Sequence, residues 1–348
     1  MKFSSTITNW YSINKRDLPW RHTTDPYQIW LSEIILQQTQ VKQGLPYFRQ
    51  FLTHFPTIFD LANATEEEVL NLWQGLGYYS RARNLHFTAK QIVSDFNGKF
   101  PNTYKELLKL KGVGDYTASA VASICFNEVT AVVDGNVYRV LSRFYGISTP
   151  INSTEGNKQF KTLASHLIDP KHPALFNQAI MEYGARMCKP KAPDCIKCPL
   201  QTGCVAYQTK SVEKLPVKLK KTKVTKKHFS YLVFLTEDNH TIFQQRTGKG
   251  IWQNLYQFPL IESSKKLNYV DIKSSEVFNT IIGQQEFEIS LYNKEEIIHK
   301  LSHQHLHTHF YIIRCSELYA EKILYKIIKE FPAPTLIANF ITQFENTK

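Results

Sequence analysis

The sequence predicts an α+β protein of two domains, a helical one followed by a smaller one that contains strands. Three observations carry this. The chain has 348 residues, more than one average domain and enough to bury two cores. Before Cys204 the apolar residues recur at helical spacing and rarely alternate as a half-buried strand would. After Cys204 come eight Lys and one Glu between Lys210 and Lys227, and then apolar runs of strand length. The expected organisation is a helical domain at 1–208, a basic linker at 209–228 and an α+β domain at 229–348.

The helical part opens with a clear start signal. Asp25 is suited to cap a helix and Pro26 to take its first position, and Tyr27, Ile29, Trp30, Ile34 and Ile35 follow near helical spacing. Glu33 falls inside this run. A glutamate so placed is either on the solvent face or buried with a raised pKa. Gln37 and Gln38 close the run with amides able to bond base edges. Thr65 with Glu66, Glu67 and Glu68 starts another helix, because Thr caps and acids suit the positive N-terminal end.

Tyr104 to Leu110 reads as helical. Lys111-Gly112-Val113-Gly114-Asp115 is too glycine-rich to continue it, and Tyr116 to Ala122 begins a second helix with a small-residue face. Gly112 and Gly114 allow a tight turn and a close backbone approach. The amides opening the second helix have no helical acceptor and make a phosphate seat. The plainer alternative is an ordinary turn between packed helices. Next, Ala131-Val132-Val133 leads to Asp134 and a further helix. Asp134 caps that helix, or faces a deoxyribose beyond a hairpin that grips phosphate. Cleaving a glycosidic bond takes two carboxyl groups, one kept protonated and one kept ionised. Glu33, in the more apolar surroundings, fits the first role and Asp134 the second.

Lys+Arg 42 against Asp+Glu 30 leaves a net charge of +12, which suits a polyanionic partner or a merely soluble basic protein. No stretch approaches the roughly 20 apolar residues that span a bilayer. Met1 to Trp10 lacks the pattern of a signal peptide, so no membrane and a place in the cytoplasm or nucleoid are expected. Of six cysteines, Cys125 and Cys315 stand alone, while Cys188, Cys195, Cys198 and Cys204 are spaced C-x6-C-x2-C-x5-C. In a reducing compartment such crowding argues for a metal centre. Zinc and a [4Fe–4S] cluster both accept four sulfurs; the single C-x2-C favours the cluster. In the C-terminal part, Tyr231 to Leu235 and Thr308 to Arg314 read as strands.

Taken together, the hairpin Leu110 to Thr117, the stretch Val133-Asp-Gly-Asn-Val137 and the cysteine spacing resemble the endonuclease III superfamily. Leu31-Ser-Glu-Ile-Ile-Leu-Gln-Gln-Thr39 and Trp73-Gln-Gly-Leu-Gly-Tyr-Tyr-Ser-Arg-Ala-Arg83 resemble, within it, the MutY family of adenine DNA glycosylases. The likeness spans nearly the whole chain and is strongest from Leu18 to Cys204. It implies an all-α helix-hairpin-helix glycosylase domain whose four cysteines hold a [4Fe–4S] cluster. By position, Glu33 resembles the acid that protonates adenine N7, and Asp134 the carboxylate that stabilises the oxocarbenium ion. Tyr116 and Asn136 match residues that support the sugar and the aspartate, and Glu182 a polar residue of the adenine pocket. Gln38 and Tyr78 resemble residues wedged into the stack beside the oxidised guanine. Bifunctional relatives carry a Schiff-base lysine where this chain has Tyr116, and a phenol forms no imine. The resemblance therefore implies a monofunctional enzyme, expected to act as a monomer on duplex DNA with an adenine:8-oxoguanine mispair. The rival readings are a glycosylase/lyase of the same superfamily and a damage-binding protein that has lost catalysis.

Gln245 to Trp252 and Leu255 to Pro259 resemble the family's Nudix-like recognition domain. The acidic box of a Nudix hydrolase is absent, which implies a binding module. Where relatives read oxidised guanine with Phe-Ser-His, this chain has Leu301-Ser302-His303, so the hydroxyl and imidazole are kept and the aromatic ring is lost. His303, His305, His307 and His309 alternate, which suggests a metal site or, more simply, histidines on one face of a strand.

Overall fold

A computed structural model of the chain describes residues 3–219 and 224–346 and divides into two compact units, Met1–Ala64 with Arg83–Lys220 and Thr65–Ala82 with Lys221–Lys348. The helices up to the cysteine loop are α1 (Phe3–Asn14), α2 (Pro26–Leu36), α3 (Val41–His54), α4 (Ile58–Asn63), α5 (Glu66–Leu72), α6 (Ser80–Phe96), α7 (Tyr104–Leu107), α8 (Asp115–Phe126), α9 (Gly135–Tyr145), α10 (Thr154–Leu167) and α11 (Pro173–Arg186), and α12 (Val205–Gln208) follows the loop. Among the described residues no strand precedes Thr225. The helix expected from Tyr104 to Leu110 is a single turn, closed by turn hydrogen bonds from Lys109 and Leu110.

Two helices form the centre of the first unit. α2 starts where Asp25 accepts the Tyr27 amide, and eight of its eleven residues are buried. A helix apolar on nearly every side belongs in a core, and this removes the solvent-face option for Glu33. α8 is buried continuously from Thr117 to Ile124. Its Ala and Ser side chains let α2 and α11 approach closely, and α11 also packs on α1 and α9. Between α8 and α9, residues 127–134 form neither helix nor strand, although Ala131 and Val132 are almost fully buried. Buried backbone groups outside regular structure need partners. Asn177 of α11, itself inaccessible, supplies several. Its Oδ1 accepts the Val132 amide at 3.1 Å, and its Nδ2 donates to Thr130 O and Ser123 Oγ, both at 2.8 Å.

The stretch read as a linker is largely structured at both ends. The Ile151 amide donates to Val217 O, and Asn152 exchanges bonds with the backbone of Leu219. Lys220 to Lys223 lie outside the described residues, and a strand begins at Thr225. Thr65–Ala82 groups with the second unit, for a reason its polar contacts make plain. Glu66 and Glu67 receive Asn254 Nδ2 and Tyr256 Oη, Asn71 donates to Glu330 O, and Gln74 Oε1 accepts the Ala333 amide.

The second unit is α+β. Its strands are β1 (Thr225–Thr236), β2 (His240–Thr241), β3 (Gln244–Gln245), β4 (Tyr256–Gln257), β5 (Leu260–Ser263), β6 (Phe287–Leu291), β7 (Ile297–Lys300), β8 (Gln304–Cys315) and β9 (Ile323–Leu324), with helices α13 (Tyr269–Lys273), α14 (Glu276–Ile282) and α15 (Thr335–Glu345). The main sheet runs β5-β1-β8-β6, and β7 pairs β8 beyond β6. β1 and β8 are parallel over twelve residues each. One face carries Leu232, Phe234, Tyr311 and Ile313 against Ile272, Phe278 and Ile281. On the other, Phe310 stacks on Phe340 of α15 at 3.9 Å and on Tyr231 at 5.2 Å. A strand covered on both faces reads as an unbroken apolar run, as Tyr231–Leu235 does. The alternating histidines are a strand feature: His305, His307 and His309 share a face of β8, where His307 Nδ1 stands 2.7 Å from Glu296.

Replacing Asn177 by Ala should lower stability by roughly 2–4 kcal/mol, since it leaves a buried amide and carbonyl without partners. Asn157→Ala, which loses only an exposed bond to Tyr138, should cost under about 1 kcal/mol. Urea midpoints measure both; equal small losses would show that Asn177 does not hold the 130–132 segment.

Candidate active site

A cavity of about 560 Å³ in the first unit is lined by Glu33, Tyr116, Asp134, Asn136 and Glu182, together with Arg16, Trp20, Arg21, Arg139 and others. Residues from α2, α8, α9 and α11 thus meet around one space, though they lie far apart in sequence. Glu33 is 8% exposed. Burial pushes its carboxyl up to about 7, the Tyr116 bond opposes this, and the Asp134 charge adds to it. The Tyr116 hydroxyl donates to Glu33 Oε2 at 2.5 Å and lies 3.3 Å from Met181 Sδ.

Asp134 caps α9, as the helix-cap reading has it, and it also lines the cavity. Its Oδ1 accepts the Asn136 and Val137 amides at 2.9 and 2.8 Å, and its Oδ2 accepts Asn136 Nδ2 at 2.7 Å. Burial raises its pKa from the ordinary value, while these donors and Arg139 favour the charged form. Arg139 donates to Asn136 Oδ1 at 2.9 Å, Gly184 O at 2.6 Å and Cys188 O at 2.7 Å. Gly184 has to lack a side chain, because a Cβ there would stand 2.6 Å from that of Asn136.

Glu182 is 1% exposed and held by two arginines. Arg16 reaches it through Nε, Nη2 and its backbone amide at 2.8, 2.6 and 3.0 Å, and Arg21 through Nη2 at 2.6 Å. Burial alone would raise this carboxyl, but the arginines overcome it and hold it at about 2. Neither arginine stands out in the sequence. Each is more than 160 positions from Glu182 and no local spacing links them.

The hairpin lies in the same unit. Gly112 has φ +76°, and a Cβ on it would press on Asn84. Gly114 caps α8 with open space where a side chain would be, so the first-turn amides of α8 are approachable. Gln38, just past α2, is exposed with φ 55°. In the second unit Tyr78 is exposed with φ 48°, and Arg81 packs over its ring and that of Trp73. A left-handed backbone is uncommon for residues other than glycine and concentrates at functional sites. Ser302 and His303, also in the second unit, sit exposed on the turn joining β7 to β8, which Leu301 N→Gln304 O closes at 2.9 Å.

Cys188, Cys195, Cys198 and Cys204 follow α11 on one irregular loop, all partly buried. Burial pushes the thiols of Cys195, Cys198 and Cys204 up, and the charge of neighbouring thiols, Cys188 included, adds to this. Donors stand at two of the sulfurs: Arg143 Nη1 lies 3.4 Å from Cys188 Sγ and Tyr183 Oη 2.8 Å from Cys198 Sγ. Among the described residues no three His, Cys, Asp or Glu are placed to hold a single ion. Four clustered thiols with a cation and a hydroxyl at hand are a donor set that fits an anionic sulfur-ligated cluster.

Comparison with known proteins agrees with this layout. The family described as HhH-GPD superfamily base excision DNA repair protein matches residues 31–166, and the NUDIX domain family matches residues 230–343. The curated adenine DNA glycosylase of Buchnera aphidicola subsp. Schizaphis graminum is 38% identical over 311 residues, covering 88% of this chain and 85% of that one. A solved thermostable thymine-DNA glycosylase superposes with TM-score 0.56 at 32% identity, covering 60% of this chain and 95% of its own. Endonuclease III in a non-covalent DNA complex shares the fold, with TM-score 0.52, 22% identity and 60% and 94% coverage. With a relative matched along most of both chains, the chain belongs to the adenine DNA glycosylase family of base-excision repair enzymes.

Proposed function

We propose that the cavity of the first unit receives an adenine rotated out of duplex DNA, from opposite 8-oxoguanine or guanine, and that its N-glycosidic bond is hydrolysed without strand cleavage. The observation that carries this reading is the pair of buried carboxyl groups on one cavity, Glu33 beside a hydroxyl and Asp134 beside amides and Arg139. Rotating the base out costs a few kcal/mol, less for a mispair. Glu33, half protonated near neutral pH, gives its proton to adenine N7. The bond between N9 and C1′ breaks with its electron pair leaving on the base. Asp134 stabilises the sugar cation until water adds at C1′ and releases a proton. Asn136 holds Asp134, Tyr116 holds Glu33, and Glu182 with its arginines shapes the pocket. Tyr116 offers no amine for an imine, which supports a monofunctional reaction.

Phosphates are gripped by the Gly112–Gly114 hairpin, in keeping with the net charge of +12. The base opposite the adenine is read by Ser302 and His303, with Gln38 and Tyr78 entering the stack. Cys188, Cys195, Cys198 and Cys204 hold a [4Fe–4S] cluster. When bound it ties the loop together as a four-thiolate anchor. The protein acts as a monomer.

Glu33→Gln and Asp134→Asn should each cut single-turnover adenine release by at least about 100-fold while mispair binding stays near normal. Near-normal rates in either variant remove that residue from the mechanism. The wild-type rate should fall as pH rises through about 7, where Glu33 loses its proton. Stability should follow the same group. Its folded pKa is raised from an ordinary 4.5 to about 7, so the stabilisation is full below 4.5 and is lost as pH rises to 7. Glu33→Gln, which cannot ionise, should therefore gain melting temperature over the wild type most clearly above pH 7.

Purified protein should be yellow-brown with about four irons per chain. A colourless, fully active protein carrying one zinc would overturn the cluster assignment. Replacing Ser302 and His303 together by Ala should shrink the affinity gap between adenine:8-oxoguanine and adenine:guanine duplexes by roughly 1–3 kcal/mol. Binding to undamaged duplex and its salt dependence should stay unchanged. An unchanged gap would move recognition to Gln38 and Tyr78.

A further inference from the structure

We infer that Lys161 of α10 is a positioning residue for Asp134. The inference rests on the reading of Asp134 as the carboxylate that faces the sugar cation. Lys161 is three-quarters buried, and its ammonium uses all three donors. They go to the Asp115 carboxylate at 2.9–3.0 Å, Ser119 Oγ at 2.9 Å and Ala131 O at 2.8 Å. The ammonium also lies over the Tyr104 ring, 5.3 Å from its centre, and the Tyr104 hydroxyl donates to the same Asp115 at 2.5 Å.

These contacts join two parts of the candidate active site. Asp115 and Ser119 belong to α8, and Asp115 adjoins Tyr116. Ala131 is fully buried in the irregular stretch that ends at Asp134. With no strand beside it, that stretch is held by side chains. Asn177 takes Thr130 O and Val132 N from α11, and Lys161 takes the intervening Ala131 O from α10. The backbone is therefore gripped at three successive residues from two helices. Without Lys161 the Ala131 carbonyl is a buried acceptor missing its ionic donor, and the segment is free to twist about the Asn177 anchor. Asp134, three residues on, moves with it. Tyr116 and Glu33 keep their own bond across the α2–α8 contact, which does not pass through Ala131. A glycosylase site that loses only its counter-charge geometry binds its ground state normally and its cationic transition state poorly.

The test uses the full-length, cluster-loaded protein. Lys161→Met should lower the single-turnover excision rate roughly tenfold, as a small misplacement of a reacting group does. Affinity for a duplex with an uncleavable 2′-fluoro-adenosine should stay within about twofold, while affinity for a duplex carrying a cationic pyrrolidine sugar should fall by about the same factor as the rate. Lys161→Arg, which keeps a charged multiple donor, should recover most of both. The pH at which the rate declines should not move, because it belongs to Glu33. Lys161→Gln carries the same test should the methionine variant fail to fold. The inference is overturned by a wild-type rate in the Met and Gln variants, or by parallel losses for the neutral and cationic duplexes, which would mark a merely structural lysine. A fully active Asp134→Asn would instead sink the reading of Asp134 itself.

Discussion

The burial of the Glu33 carboxyl constrains the rest of the first unit. α2 is covered on nearly every side, so this group is exposed only toward the cavity, and ionising it in place is expensive. It stays tolerable near neutral pH by remaining about half protonated and accepting the Tyr116 hydroxyl. That hydroxyl reaches it because α8 packs against α2, a contact that the Gln37 Nε2 bond to Thr117 Oγ1 at 3.2 Å also joins. The tight turn at Gly112, where a side chain would strike Asn84, sets where α8 begins. Core packing, the glycine hairpin and the buried carboxyl are thus one arrangement.

Asp134 is placed by different means. Its carboxylate caps α9, which uses the helix's own free amides to favour the charge. α9 in turn carries two arginines one turn apart on its buried side. Arg139 bonds both Asn136 and the Cys188 carbonyl, and Arg143 bonds the carbonyls of Lys189 and Pro190 and approaches Cys188 Sγ. The helix that begins at Asp134 is therefore the same body against which the cysteine loop is fixed. Unlike environments for Glu33 and Asp134 follow from this: one carboxyl sits among apolar side chains, the other at a ring of donors.

What the sequence made legible was local. The Asp25-Pro26 start, the Thr65 helix start, the glycine hairpin, the cysteine spacing and the apolar strand runs each declare themselves within a few residues, because caps, turns and periodicity are short-range physics. Long-range polar pairs do not. Arg16 and Arg21 acquire meaning only beside Glu182, Lys161 only beside Ala131, and Asn177 only beside an irregular stretch that needed partners. The grouping of Thr65–Ala82 with the second unit was hidden for the same reason, since it depends on Glu66 and Gln74 meeting Asn254 and Ala333. In the lysine-rich stretch charge signals a tether, and what it does not disclose is that Val217 and Leu219 between the lysines give their backbone to Ile151 and Asn152.

The two-unit construction answers a problem that the chemistry alone cannot. Adenine is an ordinary base, so a pocket complementary to it, however well Glu33 and Glu182 are set, fits every adenine in the duplex equally. Specificity is a difference of affinities, and on the proposed reading the difference comes from the base left opposite. A surface that reads it must stay fixed while the adenine leaves the stack. On the proposed reading a short turn meets that need better than a free loop: the backbone around Ser302 and His303 is set by the pairing of β7 with β8, and both side chains are exposed. On the proposed reading such a surface has no use for the acidic box of a Nudix hydrolase. A metal-binding acidic patch would repel the phosphates on either side of the base it has to touch.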